Sequence, residues 1–342
     1  MNTRLFKFSP WWLTGFTQAD GSFIILIKKQ PQGKFLYRFV PTFELSQGIH
    51  DLELMQALHT YAFGGVGRLV INRDRVSIVV TSVKEIVTVV LPHFEKYPLM
   101  GGKFVSYLIF RKVVLAINDN HHLTAKGFLD ILNLCYFMNN TSTRNPESLK
   151  LILDTIKSSS PEFSSVYNEA TNSNTLMLDF SQKMNTSITL EYLAGLIDGD
   201  GSFGFNFSTT TSRITSFFQV TPARLRRAAN DDYIVLIALM EYFGCGEVKK
   251  YTNKDACVFR IHSYKNLLEK IQPLLLSIHL NTVKQLYVEP TLKAWEIITK
   301  NRVKSNADLE EIVNLVYNMN RGGLKRKVDK VTFLSIILKL VR

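Results

Sequence analysis

Apolar and polar positions alternate along four short stretches in each half of the chain, with helical spacing between them. In Ser22 to Lys28, Phe23, Ile25 and Ile27 share one face while Ser22, Ile24, Leu26 and Lys28 share the other, as a strand of period two requires. Arg38 to Gln47, Arg68 to Asn72 and Arg75 to Thr81 continue the pattern. They turn Phe39, Phe43, Leu45, Leu69, Ile71, Val76, Ile78 and Val80 inward, and Arg38, Thr42, Glu44, Arg68, Asn72, Arg75 and Ser77 outward. In the second half, Phe203, Phe205 and Phe207 oppose Ser202, Gly204, Asn206 and Ser208. Arg213 to Thr221, Glu247 to Tyr251 and Ala256 to His262 there turn Arg213, Thr215, Gln219, Lys249, Tyr251, Arg260 and His262 outward. Each half reads helix, two strands, helix, two strands, helices, an α+β organisation.

Ahead of the first strand in each half stands the same short helix. Ser9 to Ile25 reads S-P-W-W-L-T-G-F-T-Q-A-D-G-S-F-I-I, and Thr189 to Phe205 reads T-L-E-Y-L-A-G-L-I-D-G-D-G-S-F-G-F. Ser9 and Thr189 are N-caps, Pro10 is suited to the first helical position, and Gly21 and Gly201 end the helices. Asp20 and Asp200 stand just before those glycines, where the negative end of the helix dipole disfavours a carboxylate, so a positive group is expected beside each. Gly15 and Ala19, like Gly195 and Gly199, lie one turn apart and allow two helix backbones to approach closely. Packed side by side, the two helices would end with adjacent aspartates. Paired carboxylates either share a proton or bind a divalent cation, and two helix C-termini aimed at one spot favour the cation. Gly-Asp-Gly is also an ordinary helix stop, but two copies shift the balance toward chemistry.

The repeat runs on past the motif. Leu13 corresponds to Leu193, Asp20 to Asp200, and Phe63-Gly64 to Phe243-Gly244 at an offset of 180; Pro92 corresponds to Pro273, Lys103 to Lys284, and Asn133 to Asn139 with Asn314 to Asn320 at an offset of 181. Two equivalent halves related by a pseudo-twofold follow from that spacing: residues 1–139 and 187–342, joined by a Ser/Asn/Thr-rich linker, 140–186, with one short amphipathic segment at Glu147 to Lys157. Ala223 to Asp232 interrupts the second half like an insertion, and Lys325-Arg326-Lys327 is a basic run.

Leu193 to Gly201, L-A-G-L-I-D-G-D-G, resembles the motif of the single-chain LAGLIDADG homing endonucleases; the first copy, L-T-G-F-T-Q-A-D-G, departs at Phe16, Thr17 and Gln18 but keeps Asp20. The resemblance covers both halves and leaves only the linker outside it. It implies two αββαββα repeats, each with a four-stranded antiparallel sheet forming a saddle along the DNA major groove. It also implies catalytic and metal-binding roles for Asp20 and Asp200, metal ligands from the carbonyls of Ala19 and Gly199, and supporting roles near the metals for Lys103, Lys284 and Gln47. Mg2+ is the implied cofactor, with Mn2+ or Ca2+ able to substitute in binding. Lysines near helix N-termini are electrostatically disfavoured, so a repeated one invites a functional role, although snorkelling surface lysines would look the same. The second-half counterpart of Gln47 is left open, because Pro222 follows F-Q-V-T there.

Composition agrees with that class. The 342 residues are 46% hydrophobic, enough for two substantial cores, and the formal net charge is +12, which favours nucleic acid over other partners. The outward strand faces, rich in Arg, Lys, Asn, Gln, Ser and Thr, suit base edges and phosphates, while a solvated sheet face is the plainer alternative for any single residue. Cys135, Cys245 and Cys257 lack zinc spacing and read as buried small apolar residues, and the seven histidines are scattered. No apolar run reaches the roughly 18 residues of a membrane span; Tyr233 to Met240 and Val331 to Leu340 read as core helices. The expected partner is therefore double-stranded DNA, bound by a monomer with no membrane involvement. The expected activity is a site-specific, metal-dependent double-strand break in a long asymmetric target, leaving short 3′ overhangs. A host intron RNA bound by a maturase of the same fold, or a cleavage-dead DNA binder, is the alternative. The mitochondrion is the compartment that the resemblance implies.

Overall fold

Each motif helix starts where its cap residue predicts. Trp12 N–H donates to Ser9 Oγ at 3.1 Å to open α1 (Pro10–Asp20), and Tyr192 N–H donates to Thr189 Oγ1 at 3.1 Å to open α8 (Leu190–Asp200). The computed structural model describes residues 5–138, 144–170, 183–208, 213–222, 231–251, 257–300, 305–319 and 328–339. The chain divides into two compact units: Thr17–Ser187 with Arg224–Val235, here the N-terminal unit, and Met1–Phe16 with Ile188–Ala223 and Leu236–Arg342, here the C-terminal unit.

In the N-terminal unit, β1 (Gly21–Lys29), β2 (Tyr37–Gly48), β3 (Arg68–Asn72) and β4 (Arg75–Val80) form one antiparallel sheet in the order β1-β2-β4-β3. Between β2 and β3 lies α2 (Leu52–Ala57); after β4 come α3 (Leu91–Lys96), α4 (Gly101–Asn118) and α5 (Ala125–Phe137). The inward sheet face is aromatic. Phe23 is 2% exposed, and its ring centroid lies 5.3 to 5.4 Å from those of Phe43, Phe94, Tyr107 and Phe110. Burying such a side chain contributes roughly 1.5–3 kcal/mol, so the cluster fixes the sheet against α3 and α4.

The segment expected as a linker is mostly helical where it is described. Asn145 and Ser148 cap one another, Pro146 occupies the first turn, and α6 (Pro146–Ser159) and α7 (Pro161–Ala170) follow. Ser158 and Ser159, expected in a loop, end α6 by bonding back to helix carbonyls. Thr171 to Thr175 lies outside the described residues.

In the C-terminal unit, β5 (Gly201–Phe207), β6 (Ile214–Val220), β7 (Glu247–Lys250) and β8 (Cys257–Ile261) form the matching antiparallel sheet, β5-β6-β8-β7. With it are α9 (Asp231–Phe243), whose first residues belong to the other unit, then α10 (Gln272–Ser277), α11 (Gln285–Lys300), α12 (Asn306–Val316) and α13 (Lys330–Lys339). Trp295 is fully buried and donates through its indole to Ser216 Oγ at 2.7 Å. Glycine does here what the small-residue spacing predicts. A Cβ on Gly15 would fall 1.9 Å from the Tyr192 carbonyl oxygen, and one on Gly195 would fall 2.0 Å from that of Trp12, so the start of α1 and α8 meet backbone to backbone.

Three expectations change. Ile71, predicted inward, is 56% exposed, because the edge strand β3 runs beyond the core. Helix α13, predicted as core, buries Ile337 but leaves Val331 77% exposed. Cys245 is only partly buried, unlike Cys135 and Cys257. Residues 223–230 and the basic run Lys325-Arg326-Lys327 lie outside the described residues. Among the described residues no helix is long and apolar enough to cross a membrane.

Candidate active site

Helix α1 ends at Asp20, and Gly21 begins β1 at once, so the carboxylate stands at the junction of helix and sheet. Gln47, near the end of β2, donates from Nε2 to Asp20 Oδ2 at 2.8 Å, and its own Oε1 accepts from the Gly48 N–H at 3.0 Å. That second bond turns the amide so that its NH2 faces the acid. Lys103, in the first turn of α4, places Nζ 2.6 Å from Gly21 O and 3.4 Å from Ala19 O. This ammonium is the positive group that the helix end required.

The C-terminal unit repeats the arrangement with differences. Lys284 Nζ donates to the carbonyls of Ile197, Asp198 and Gly199 at 2.9, 2.8 and 2.8 Å, closing the end of α8 beside Asp200. By strand register Gly201 opposes Val220 as Gly21 opposes Leu45, which makes Pro222 the counterpart of Gln47. Proline carries no side-chain amide, so the interaction that Gln47 gives Asp20 has no equivalent from that position.

Sequence reasoning passed over the residues that deliver the two lysines. Asp198 is fully buried and accepts four bonds: from Trp12 Nε1 at 2.8 Å, the Asn281 N–H at 2.8 Å, the Thr282 N–H at 2.9 Å and Thr282 Oγ1 at 2.6 Å. Burial pushes its pKa above the usual carboxylate range, against the pull of those donors. The effect is to tether residues 281–282, two positions ahead of Lys284. Gln18 stands at the same place in the first copy, and its Oε1 accepts from the Met100 N–H at 2.9 Å, three residues ahead of Lys103. The departure from the motif at Gln18 thus keeps the tether while removing the charge.

The outward faces are shared as register requires. In the N-terminal sheet Ser22, Ile24, Leu26 and Lys28 oppose Glu44, Thr42, Val40 and Arg38, and Arg68, Asn72, Arg75 and Ser77 fall on the same side. Thr42 and Ser77 lie on that face with little exposure. Both have the predicted orientation but are only 7% and 8% exposed, because alternation sets a side chain's face and its neighbours set its depth. Ser77 donates within a cluster in which Arg75 also holds Ser46, which the sequence reading missed although it lies two residues from Glu44 on the same face. In the C-terminal sheet Ser202 and Asn206 oppose Gln219 and Thr215, and Arg260 opposes both Gln219 and Glu247. The Arg260 guanidinium bonds Gln219 Oε1 at 2.6 and 3.1 Å and lies over the Phe217 ring. Lys249 pairs with Glu247 at 2.7 Å and holds that carboxyl below its usual pKa, and His262 stands 3.7 Å from it. Tyr251 is 45% exposed, and Ser208 and Arg213 meet at the outer end of the β5–β6 pair.

Beside each acid the helix end supplies backbone carbonyl oxygens, and a carboxylate with carbonyl oxygens fits a hard divalent cation. Among the described residues no three His, Cys, Asp or Glu side chains converge on a cage, so such an ion would keep waters and take phosphate oxygens.

Two repeats of this kind, each with an acid at a helix–strand junction and a polar four-stranded face, define the two-repeat LAGLIDADG class. The family model LAGLIDADG endonuclease matches residues 13–114 and 193–294, and the chain belongs to that family. It is 38% identical over 287 residues to "Probable intron-encoded DNA endonuclease 1" of Mycosarcoma maydis, across 84% of this chain and 99% of that one. It is 26% identical to "Probable intron-encoded endonuclease 3" of Neurospora crassa, across 78% of this chain and 46% of that one. Among solved structures the LAGLIDADG homing endonuclease I-SmaMI bound to cleaved DNA matches in fold, with a TM-score of 0.75 at 24% identity over 92% of this chain and 98% of that one.

Proposed function

We propose that the chain is a site-specific homing endonuclease that makes a metal-dependent double-strand break in a long asymmetric DNA target and leaves short 3′ overhangs. The observation that carries this reading is the repeated junction: one carboxylate at the end of each motif helix, a lysine ammonium on the carbonyls beside it, and a polar sheet face starting at the next residue. A basic chain of net charge +12 suits a polyanion, and the family matches on both repeats support DNA cleavage. The mitochondrion as compartment, and an intron as the gene's setting, rest on the family resemblance and on the intron-encoded relative.

A bound divalent cation, Mg2+ in this proposal, supplies charge neutralisation at the scissile phosphate and acidifies an attacking water. The chain's own residues do the rest. Asp20 with the carbonyl of Ala19 would hold such a cation in one unit, and Asp200 with the carbonyl of Gly199 in the other; each acid would serve one strand. Gln47 fixes the rotamer of Asp20 through its 2.8 Å bond. Lys103 and Lys284, whose ammoniums lie on the carbonyls beside the acids, would order water or stabilise charge around the metals, as a preorganised cation does.

The class of partner is decided by competition. A duplex carrying the target should be bound by both sheet faces with many phosphate contacts, so its affinity should fall linearly on a log scale with salt, by nearly one unit of slope for each phosphate neutralised. In a gel shift, that duplex should outcompete a structured intron RNA of equal length. If the RNA displaces every duplex from the locus and Mg2+ produces no cuts, the maturase reading replaces this one.

A further inference from the structure

Strand β1 begins at Gly21, directly after Asp20, and runs nine residues to Lys29. At about 3.3 Å per residue its far end lies roughly 30 Å from the acid, which corresponds to about nine base pairs at 3.4 Å each. The turn from β1 to β2 therefore sits at the outer end of any half-site that this sheet contacts. Gln30 and Gln32 are exposed on that turn, and a glutamine amide can make the paired contact that recognises adenine. The turn also holds a strained residue: Leu36 has φ 61°, a left-handed conformation that a leucine adopts only when its surroundings impose it.

The surroundings come from the segment after the repeat. Phe35, only 3% exposed, has its ring centroid 4.9 Å from that of Phe128 and 5.8 Å from that of Phe163 on α7, and Phe163 is itself fully buried. Beside it, Lys34 Nζ lies 2.9 Å from Glu162 Oε2. Further along the hairpin, Arg144 donates to the carbonyl of Ile25, on the side of β1 that no other strand covers, and to Cys135 O at 2.9 Å. Three points on one hairpin are thus held by residues 144–163, which lie outside the repeat. Such fastening serves a recognition element better than a passive connection, because a base contact gains specificity only when its backbone is held in advance.

We propose that Arg144, Glu162 and Phe163 form a specificity strap: they are positioning residues that hold the β1–β2 turn so that Gln30 and Gln32 discriminate base pairs about eight to ten positions from the cut. The inference rests on the DNA reading above. It is tested by selecting cleaved duplexes from a library randomised across both half-sites, using the full chain with Mg2+, for wild type, Phe163→Leu, Phe163→Ala and Gln30→Ala/Gln32→Ala. The Phe163 variants should lose about tenfold discrimination at those outer positions of one half-site, the scale of one lost base contact, with single-turnover cleavage of the best target within about twofold of wild type. The glutamine pair should lose preference at the same positions, and Phe163→Leu added to it should lose little more. Phe163→Leu keeps apolar volume at the site, so it reports on the strap even if Phe163→Ala fails to fold. Unchanged outer preference in Phe163→Leu, or an even loss at every position, overturns the strap. If wild type itself selects no duplex, the DNA reading falls and takes the strap with it; a clear wild-type profile that the Phe163 variants leave intact removes the strap alone.

Discussion

Asp20→Asn and Asp200→Asn should each abolish double-strand cleavage, lowering the rate by roughly 10³-fold or more, while specific binding of the target stays intact or tightens. Asparagine fills the same space and keeps one oxygen, so helix and strand should be undisturbed. What it loses is the negative charge that would hold a cation beside the phosphate. Removing the repulsion between carboxylate and phosphate offsets the attraction lost with the cation, which makes the separation of cutting from binding the diagnostic feature. The two variants should also differ. In Asp20→Asn the new side chain can still accept the Gln47 amide, whereas position 200 has no such partner from Pro222. The check is single-turnover cleavage of each labelled strand together with a filter-binding isotherm. Wild-type cutting by both variants would remove the acids from the site.

The sheet face and the acids were legible in the sequence because their signals are local. Alternation of period two placed Ser22, Lys28, Arg38 and Arg260 on their faces, and the repeated Asp-Gly fixed the helix ends. What was hidden depends on partners far along the chain. Asp198 draws its donors from Trp12 and from residues 281 and 282, separations that no pattern in Leu193 to Gly201 announces. Pro222 was visible, but only the register of β6 made it the counterpart of Gln47. The depths of Thr42 and Ile71 were hidden for a complementary reason. A strand's period gives the direction of a side chain, while its depth depends on whether it lies mid-sheet, as Thr42 does, or on an edge beyond the core, as Ile71 does. The amphipathic spacing of Glu147 to Lys157 announced α6, and the capping box at Asn145 is the local signal that marks its start.

Asp198→Ala should be the most destabilising single substitution in the C-terminal unit. It leaves four buried donors without their acceptor: the Trp12 indole, the amides of Asn281 and Thr282, and the Thr282 hydroxyl. A buried donor left unsatisfied costs roughly 1–3 kcal/mol, so four of them cost at least several kcal/mol, and a domain of this size loses about 2–4 °C of melting temperature per kcal/mol, so a fall on the order of 10 °C is expected. Cleavage should suffer as well, because the freed segment carries Lys284. Gln18→Ala, which removes one acceptor from one amide, should cost only about 1 kcal/mol. Thermal unfolding of the three proteins checks the order. Equal melting temperatures for Asp198→Ala and wild type would show that the tether carries no stability.

The central claim is that this chain cuts both strands of one long, asymmetric duplex site with a divalent cation. Selection of cleaved ends from a duplex library drawn from the host locus and its randomised variants, with Mg2+ or with a chelator in its place, tests it most directly. A single recovered site is expected, with independent preferences on its two sides, both strands cut a few base pairs apart to leave short 3′ overhangs, and no product with the chelator. Cuts that persist in the chelator, or no site recovered with Mg2+ from a chain that binds the duplex, would contradict it.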